Sequence, residues 1–570
     1  MVPRSSPIAP AIWLLAGCCY LAQANVAWAQ QTAEVVTPDA SAPSAAPVLD
    51  TWGSASPAPA PLAPTAEPQP ALEATPSPAT GDDHSTERNQ TAPDGDADTH
   101  VRYLLERIEV QGNARTRPSV ILRYLPFRPG RELDVDDTEF TLARYRLLGT
   151  GFFSEVDFSL RKGSKRGSVV LVVDVVERNT VVVNGVWLGL AKDADTSGEK
   201  RQLTAYGGFD VAETNLAGTG SSLGGAVGLA QNQLALRVRF LDPAFLGTPS
   251  MVNLTLLHNR ALDFFGTTTF DGHNTVDWGR TADTPSSSYA VVRYQRFGGS
   301  AGLGRDLSSS TQLWFHYRLE TITADRPSFA SQVRGAQLDS SGRLVGKTEA
   351  IDFDILQGRS VFSSARANFQ FDTRDHPFLP TRGWFLTTWG ELGLKPLGSD
   401  YAFQRFDVSA SYWWHKQNSP HIFRLQLFAG AMVGNVPFFE QYYVGDFNDF
   451  LPARMLSLNV DRRPSVDLLK LKTAIHDVRY GQYAAQIAGE YRFPVYRGHR
   501  SVYGIDLFLR AGFFAVASHR EFDDPAPAYH GFRQIPVDFT ANAGFRMDTS
   551  AGGIVFSLSN VLGFLPEGGK

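Results

Sequence analysis

From about Thr180 to the C-terminus, apolar and polar residues alternate along the chain. Leu313, Phe315, Tyr317 and Leu319 alternate with Trp314, His316, Arg318 and Glu320. Ala365, Ala367, Phe369 and Phe371 alternate with Arg366, Asn368, Gln370 and Asp372, and Tyr483, Ala485, Ile487, Gly489, Tyr491 and Phe493 with Gln482, Gln486, Glu490 and Arg492. A period of two puts each set on its own face of a β-strand. A soluble sandwich explains one wet face per strand. A closed barrel with an apolar exterior and a hydrated bore explains both faces, over segments that recur with no clear helix between them. The pattern predicts a mainly β fold, with a transmembrane antiparallel β-barrel over residues 179–570. We distinguish about fifteen candidate strands, from Val181–Leu190 to Gly553–Asn560, and single-chain bacterial barrels have even counts, so about sixteen are expected. Either two are merged between Ser287 and Ser308, or one is lost at the C-terminus.

The preceding segment follows another rhythm. Leu105, Ile108 and Val110 lie in a strand-like run ended by Gly112-Asn113. Arg117 to Tyr124 reads as a helix with Pro118 in its first turn. After Gly130, Asp136 and Asp137 open a second helix that carries Phe140, Leu142, Ala143, Tyr145 and Leu147. Phe153–Leu160 and Val169–Val176 then read as strands. This predicts a small β-α-α-β-β domain over residues 101–178.

Residues 30–100 are dense in Pro, Ala, Ser, Thr and Asp, as in Pro57-Ala58-Pro59-Ala60-Pro61. Such a composition cannot bury enough apolar surface to offset ordering, and a disordered linker is expected. Residues 1–29 have the form of an export signal: Arg4, an apolar stretch from Ile8 to Ala24, and Ala27-Trp28-Ala29 as a small-x-small cleavage site. Leu15-Ala16-Gly17-Cys18 competes as a lipoprotein box, with Cys18 as the lipidated residue. Either reading takes the protein out of the cytoplasm. Cys18 and Cys19 are the only cysteines, so cleavage after Ala29 would leave no thiol for a disulfide, a metal or a nucleophile.

A net charge of −5 gives no basic face for nucleic acid, and no nucleic-acid partner is expected. Neither a phosphate-cradling loop nor an H-E-x-x-H motif is present, so no catalytic residue, cofactor or metal is expected. Asp372, Arg374 and Asp375 have the chemistry for acid–base work, but an ion cluster bracing a turn explains them better.

Several segments carry a resemblance. Ile108-Glu109-Val110-Gln111-Gly112-Asn113 and Leu148-Gly149-Thr150-Gly151-Phe152-Phe153 resemble a POTRA domain. Asn215-Leu216-Ala217-Gly218-Thr219-Gly220, Leu241-Asp242-Pro243-Ala244-Phe245-Leu246-Gly247, Phe371 to Asp375 with Pro380 to Gly383, and Pro437 to Gly445 follow in order. Together they make residues 102–570 similar to the BamA/TamA superfamily of outer-membrane assembly and translocation proteins. The resemblance implies a periplasmic turn at Asp372, Arg374, Asp375 and Gly383, and a long extracellular loop folded into the lumen. It also implies a weak lateral seam between the first and last strands, carrying Gly185 and Gly189 on one side and Gly553, Phe556 and Leu558 on the other.

The loop departs from the family pattern. It has no Arg-Gly pair at its tip, and the usual wall aspartate falls on Arg510, while Glu490 matches the other wall acid. A charge exchange is expected, with Asp446 or Asp449 facing Arg510 and Arg454 facing Glu490; ordinary solvated loop charges are the alternative. The implied function is assembly, insertion or translocation at the outer membrane, with a dedicated secretion pore or a passive porin-like channel as rivals. The implied partners are outer-membrane lipid, unfolded outer-membrane or secreted polypeptides, and periplasmic accessory proteins. Strand addition at the POTRA-like domain is expected near Val156 or Val172.

Overall fold

The computed structural model describes residues 102–557, apart from 135–137, 195–200, 267–288, 309, 328–329, 339–343, 376–378, 417–418, 450–452, 461–478, 499–500, 525–536 and 551. The expected signal and linker, with Cys18 and Cys19, lie outside the described residues, as do Asp136, Asp137 and Leu558.

The N-terminal domain consists of β1 (Arg102–Gln111), α1 (Pro118–Tyr124), β2 (Glu132–Asp134), α2 (Thr138–Gly149), β3 (Phe153–Lys162) and β4 (Ser168–Glu177). Pro118 opens α1 where its missing N–H costs nothing. The sheet order is β2-β1-β4-β3, with β1 and β4 parallel. Val120, Ile121, Ala143 and Leu147 from the helices share one core with Leu105, Leu171 and Val173 from the sheet. Val172 lies on the central strand β4 and offers no free edge, whereas Val156 lies on the edge strand β3. The short β2 between the helices is an element that the apolar pattern did not register.

The second sheet runs through β5 (Val181–Ala194), β6 (Arg201–Glu213), β7 (Ser222–Ala230), β8 (Gln233–Asp242), β9 (Ser250–Gly266), β10 (Tyr289–Asp306) and β11 (Thr311–Asp325). A separate hairpin, β12 (Ser331–Leu338) and β13 (Leu344–Ala350), interrupts it. The sheet resumes with β14 (Gly358–Asp372), β15 (Gly383–Gly393), β16 (Phe403–His415) and β17 (Ile422–Gly434). Two short strands, β18 (Tyr442–Tyr443) and β19 (Tyr480–Gly481), pair with each other inside the long loop. The sheet then ends with β20 (Tyr483–Arg497), β21 (Val502–Ala517), β22 (Val537–Thr549) and β23 (Gly552–Ser557). Among the described residues it is a 15-stranded antiparallel meander, nearly closed into a barrel. The segment between Ser287 and Ser308 is not two merged strands: β10 pairs along its length with both β9 and β11.

The burial pattern is that of a barrel in lipid, the inverse of a soluble protein. On β11, Phe315, Tyr317 and Leu319 are exposed, while Trp314, Arg318 and Glu320 are buried. The outer face therefore needs hydrocarbon and the inner face carries the charge. His316 faces the bore and stacks on Trp314, with ring centroids 5.6 Å apart.

The domain and barrel meet at the turn after β6, which contains the Asn215–Gly220 signature. The Arg117 N–H donates to the Gly218 carbonyl at 3.0 Å, and Asn215 Nδ2 donates to Thr116 Oγ1 at 2.8 Å. Gly218 has φ +72°, and a Cβ there would lie 2.0 Å from the Arg115 carbonyl oxygen, so this close seat admits only glycine. The strand ends on this side face the periplasm, and the β17–β20 loop opens from the opposite end.

Leu319→Arg, near the middle of β11, is expected to cost about 3 kcal/mol of barrel stability, by charge placed in hydrocarbon. Urea titration of the vesicle-inserted barrel, followed by its heat-modifiable mobility in gels, would measure the loss.

Candidate functional site: the lumenal loop and the seam

The chain leaving β17 turns back into the bore. Phe438, Phe439, Tyr442, Tyr443 and Phe447 are buried there, with Phe439 stacked on Tyr294 of β10 at 5.0 Å. Glu440 stands within this aromatic run and is 1% exposed. Its carboxylate lies 3.9 Å from Arg318 on β11 and 3.8 Å from Arg405 on β16. On the wall, Arg296 pairs with Glu320 at 2.9 Å, Arg366 with Glu391 at 2.9 Å, and Arg405 with Asp407 at 2.7 Å. Arg318 also contacts Glu320. The four arginines thus meet three wall carboxylates, and the loop supplies a fourth. Tyr442 adds a hydroxyl that donates to Asp407. Glu440 was not singled out in the sequence. The available signal was a lone carboxylate inside an apolar aromatic run, a position that requires a buried cation.

The structure separates the expected lock into two parts. Asp449 lies 3.5 Å from Arg510. It is also held by Thr540 Oγ1 and Asn542 Nδ2, each donating at 2.7 Å. Arg454 does not face Glu490: it pairs with Asp446 at 2.5 Å within the loop and donates to the Phe439 carbonyl at 3.0 Å. Asp446 is therefore a brace inside the loop and not a partner of Arg510. Glu490 is taken by wall cations, Arg546 at 2.7 Å and Arg424 and Arg492 at 3.6 Å. Register explains this, because β20 sets Glu490 between Arg424 of β17 and Arg510 of β21.

A second loop reaches the lid from outside. Asp354, between β13 and β14, accepts from Gln441 Nε2 at 2.8 Å, and Phe353 packs on Phe265 at 5.2 Å.

At the periplasmic turn, Arg374 bonds Asp372 through two nitrogens, at 2.9 and 2.6 Å, and lies over Phe385. Asp375 accepts from the backbone N–H groups of Thr381 at 2.8 Å and Arg382 at 3.1 Å. Gly383 has φ +109°, with space for a Cβ denied by the Thr373 carbonyl. These contacts brace the reversal between β14 and β15.

Among the described residues no ladder joins β5 to β23. In an antiparallel meander of fifteen strands the first and last run in the same direction. They meet at their periplasmic ends, where Gly552 approaches Val183, Asn179 Nδ2 donates to the Ser550 carbonyl at 3.1 Å, and Arg178 donates to that of Thr549 at 3.3 Å. Gly185 sits at a register shift in β5, and Gly189 leaves room for the ring of Tyr206 opposite it. Gly553 pairs with Asp548, and Phe556 stacks on Phe545 at 5.4 Å.

These features define a class: an outer-membrane barrel with a lumenal lid, carried behind a periplasmic β-α-α-β-β domain. An Omp85 superfamily domain matches residues 215–514, and a POTRA domain, described as a surface antigen variable number repeat, matches 103–178. The chain belongs to the Omp85 superfamily and resides in the outer membrane with its N-terminal side in the periplasm. It is 24% identical to the outer membrane protein assembly factor BamA of Nitratidesulfovibrio vulgaris over 350 residues, which are 60% of this chain and 37% of that relative. Among solved structures it is similar to BamA from Haemophilus ducreyi lacking POTRA domains 1-3, with 16% identity, 80% of each chain covered and a TM-score of 0.43. It is also similar to CdiB from Escherichia coli, with 13% identity, 80% of this chain and 72% of that one covered, and a TM-score of 0.47.

Glu440→Gln leaves the wall arginines short of one carboxylate, and is expected to weaken lid docking by about 3 kcal/mol. Hydrogen exchange over residues 438–447 would report it as faster opening with the barrel itself still protected. A second expectation concerns acidity. Burial, with Asp352 beside it, pushes the Asp354 carboxyl up to about 6. The folded state then holds a proton that the unfolded chain releases, so the contribution is full below a pH of about 4 and is lost as pH rises through about 6. Exchange in residues 351–357, corrected for intrinsic rate, should therefore be slower at a pH of about 5 than about 7.5, and Asp354→Asn should remove the difference.

Proposed function

We propose that this chain assembles or translocates polypeptides at the outer membrane by letting a substrate strand add at the seam between β5 and β23. The observation that carries the reading is the polarity of the two edges. Both run outward from the periplasm, with no ladder between them among the described residues, so a single strand antiparallel to both satisfies two rows of backbone groups at once. Main-chain hydrogen bonds supply affinity of this kind with little demand on sequence. Apolar outer residues on both edges, such as Leu188 and Phe556, suit a substrate moving from the seam into lipid. The edge strand β3 of the POTRA domain offers an earlier capture site by the same chemistry. The lid weighs against a passive channel, since its aromatic and charged side chains are buried within the bore.

A disulfide between Gly185→Cys and Gly553→Cys should abolish function under oxidising conditions and restore it on reduction. The readout is an inventory of outer-membrane proteins after depletion and complementation. Broad loss of barrels supports insertion, and loss of one secreted protein supports export. A locked seam with full activity overturns the reading.

A further inference from the structure

The loop between β17 and β20 touches both flanks of the seam. On one flank, Asp449 bonds Arg510 on β21 and Thr540 and Asn542 on β22, the strand that pairs with β23. On the other flank, the loop forms a two-residue hairpin in which Met455 and Leu458 exchange backbone hydrogen bonds at 2.9 and 2.8 Å. This hairpin rests on the lumenal face of β6 to β9. Asn259 Nδ2 donates to the Leu456 carbonyl at 2.9 Å, and Gln233 Nε2 to that of Asn459 at 2.9 Å.

Met455 is 1% exposed and enters a trough made by two glycines, Gly208 on β6 and Gly228 on β7, which are direct cross-strand partners. The three atoms nearest to a Cβ at Gly228 all belong to the loop: Met455 Cε at 3.3 Å, Leu456 Cδ1 at 3.4 Å and Met455 Cγ at 3.6 Å. The missing side chain at Gly228 leaves that space to the loop. The hairpin tip is strained, with Leu456 at φ +46° and Ser457 at φ +74°. Side-chain-bearing residues hold such angles where their surroundings over-determine them.

We infer that the loop is a strap across the seam, with Met455 as its positioning residue on the β5 side and Asp449 on the β23 side. Tyr480 and Arg479, where the loop returns to β20, also reach this side of the wall at Asp263 on β9, two strands beyond the glycine trough, and the periplasmic contacts at Gly552, Asn179 and Arg178 join the two edges directly. Release of the Met455 end frees β6, and with it the adjoining β5, to separate from β23, while the lid remains anchored through Glu440 and through Tyr480 on Asp263. The inference rests on the proposed use of the seam, and adds what keeps it shut.

The test uses the full chain in lipid vesicles, with Cys18→Ser and Cys19→Ser and spin labels on Leu188→Cys and Phe556→Cys, which face outward on the two edges. Gly228→Val fills the trough, and Met455→Ala removes the knob without altering the wall. Each should add a population with the labels farther apart by about 5 Å, one strand spacing. The double variant should be closer to the parent than the sum of the two, because the smaller knob admits the added side chain. Parent-like distances in Met455→Ala, with heat-modifiable mobility intact, overturn the strap whether or not Gly228→Val folds. Wider distances with unchanged assembly activity support the strap and overturn the proposed use of the seam; parent-like distances leave that use to be judged by its own disulfide.

Discussion

A peptide group without a hydrogen-bond partner costs several kcal/mol in hydrocarbon, and this one constraint orders the molecule. It selects a continuous ladder from β5 to β23 and keeps the connections between strands out of the hydrocarbon. It also makes the place where the ladder stops the most reactive part of the wall. Two edges of equal direction cannot close on each other in the antiparallel pattern that the rest of the sheet uses. Among the described residues they are held at the periplasmic end by a few polar contacts, and no ladder joins them further along.

The bore obeys a second constraint, that charge taken from water must be balanced. The wall between β10 and β16 is built with one carboxylate fewer than its arginines demand, and the loop brings the missing one as Glu440. Loop docking is thus part of the electrostatic design of the wall. The Asp449 site works differently. There a hydroxyl and an amide share the carboxylate with Arg510, which makes a contact of modest charge and defined geometry, suited to being broken and remade.

Much of this architecture was legible in the residues. Alternation in β11, β14 and β20 marked strands and their faces, and the Gly112-Asn113 and Gly149-Thr150-Gly151 punctuation marked the ends of β1 and α2. The motif Asn215–Gly220 was visible as a signature, but its purpose was not. Its glycines accept the backbone of the N-terminal domain, a contact between residues about a hundred positions apart. The Arg454 assignment failed for a related reason. Sequence spacing could not reveal that β20 and its neighbours already surround Glu490 with arginines, so the loop cation had to find Asp446 within its own segment.

Sequence alone determined the periodicities, and with them the barrel, the inward and outward faces and the small domain before it, because side-chain direction in a strand follows residue parity. Tertiary structure decided the partners: which cations meet Glu440 and Glu490, which strand is an edge, and where Met455 is seated. Those depend on register and closure, which bring distant strands together and are set only when the whole sheet has formed.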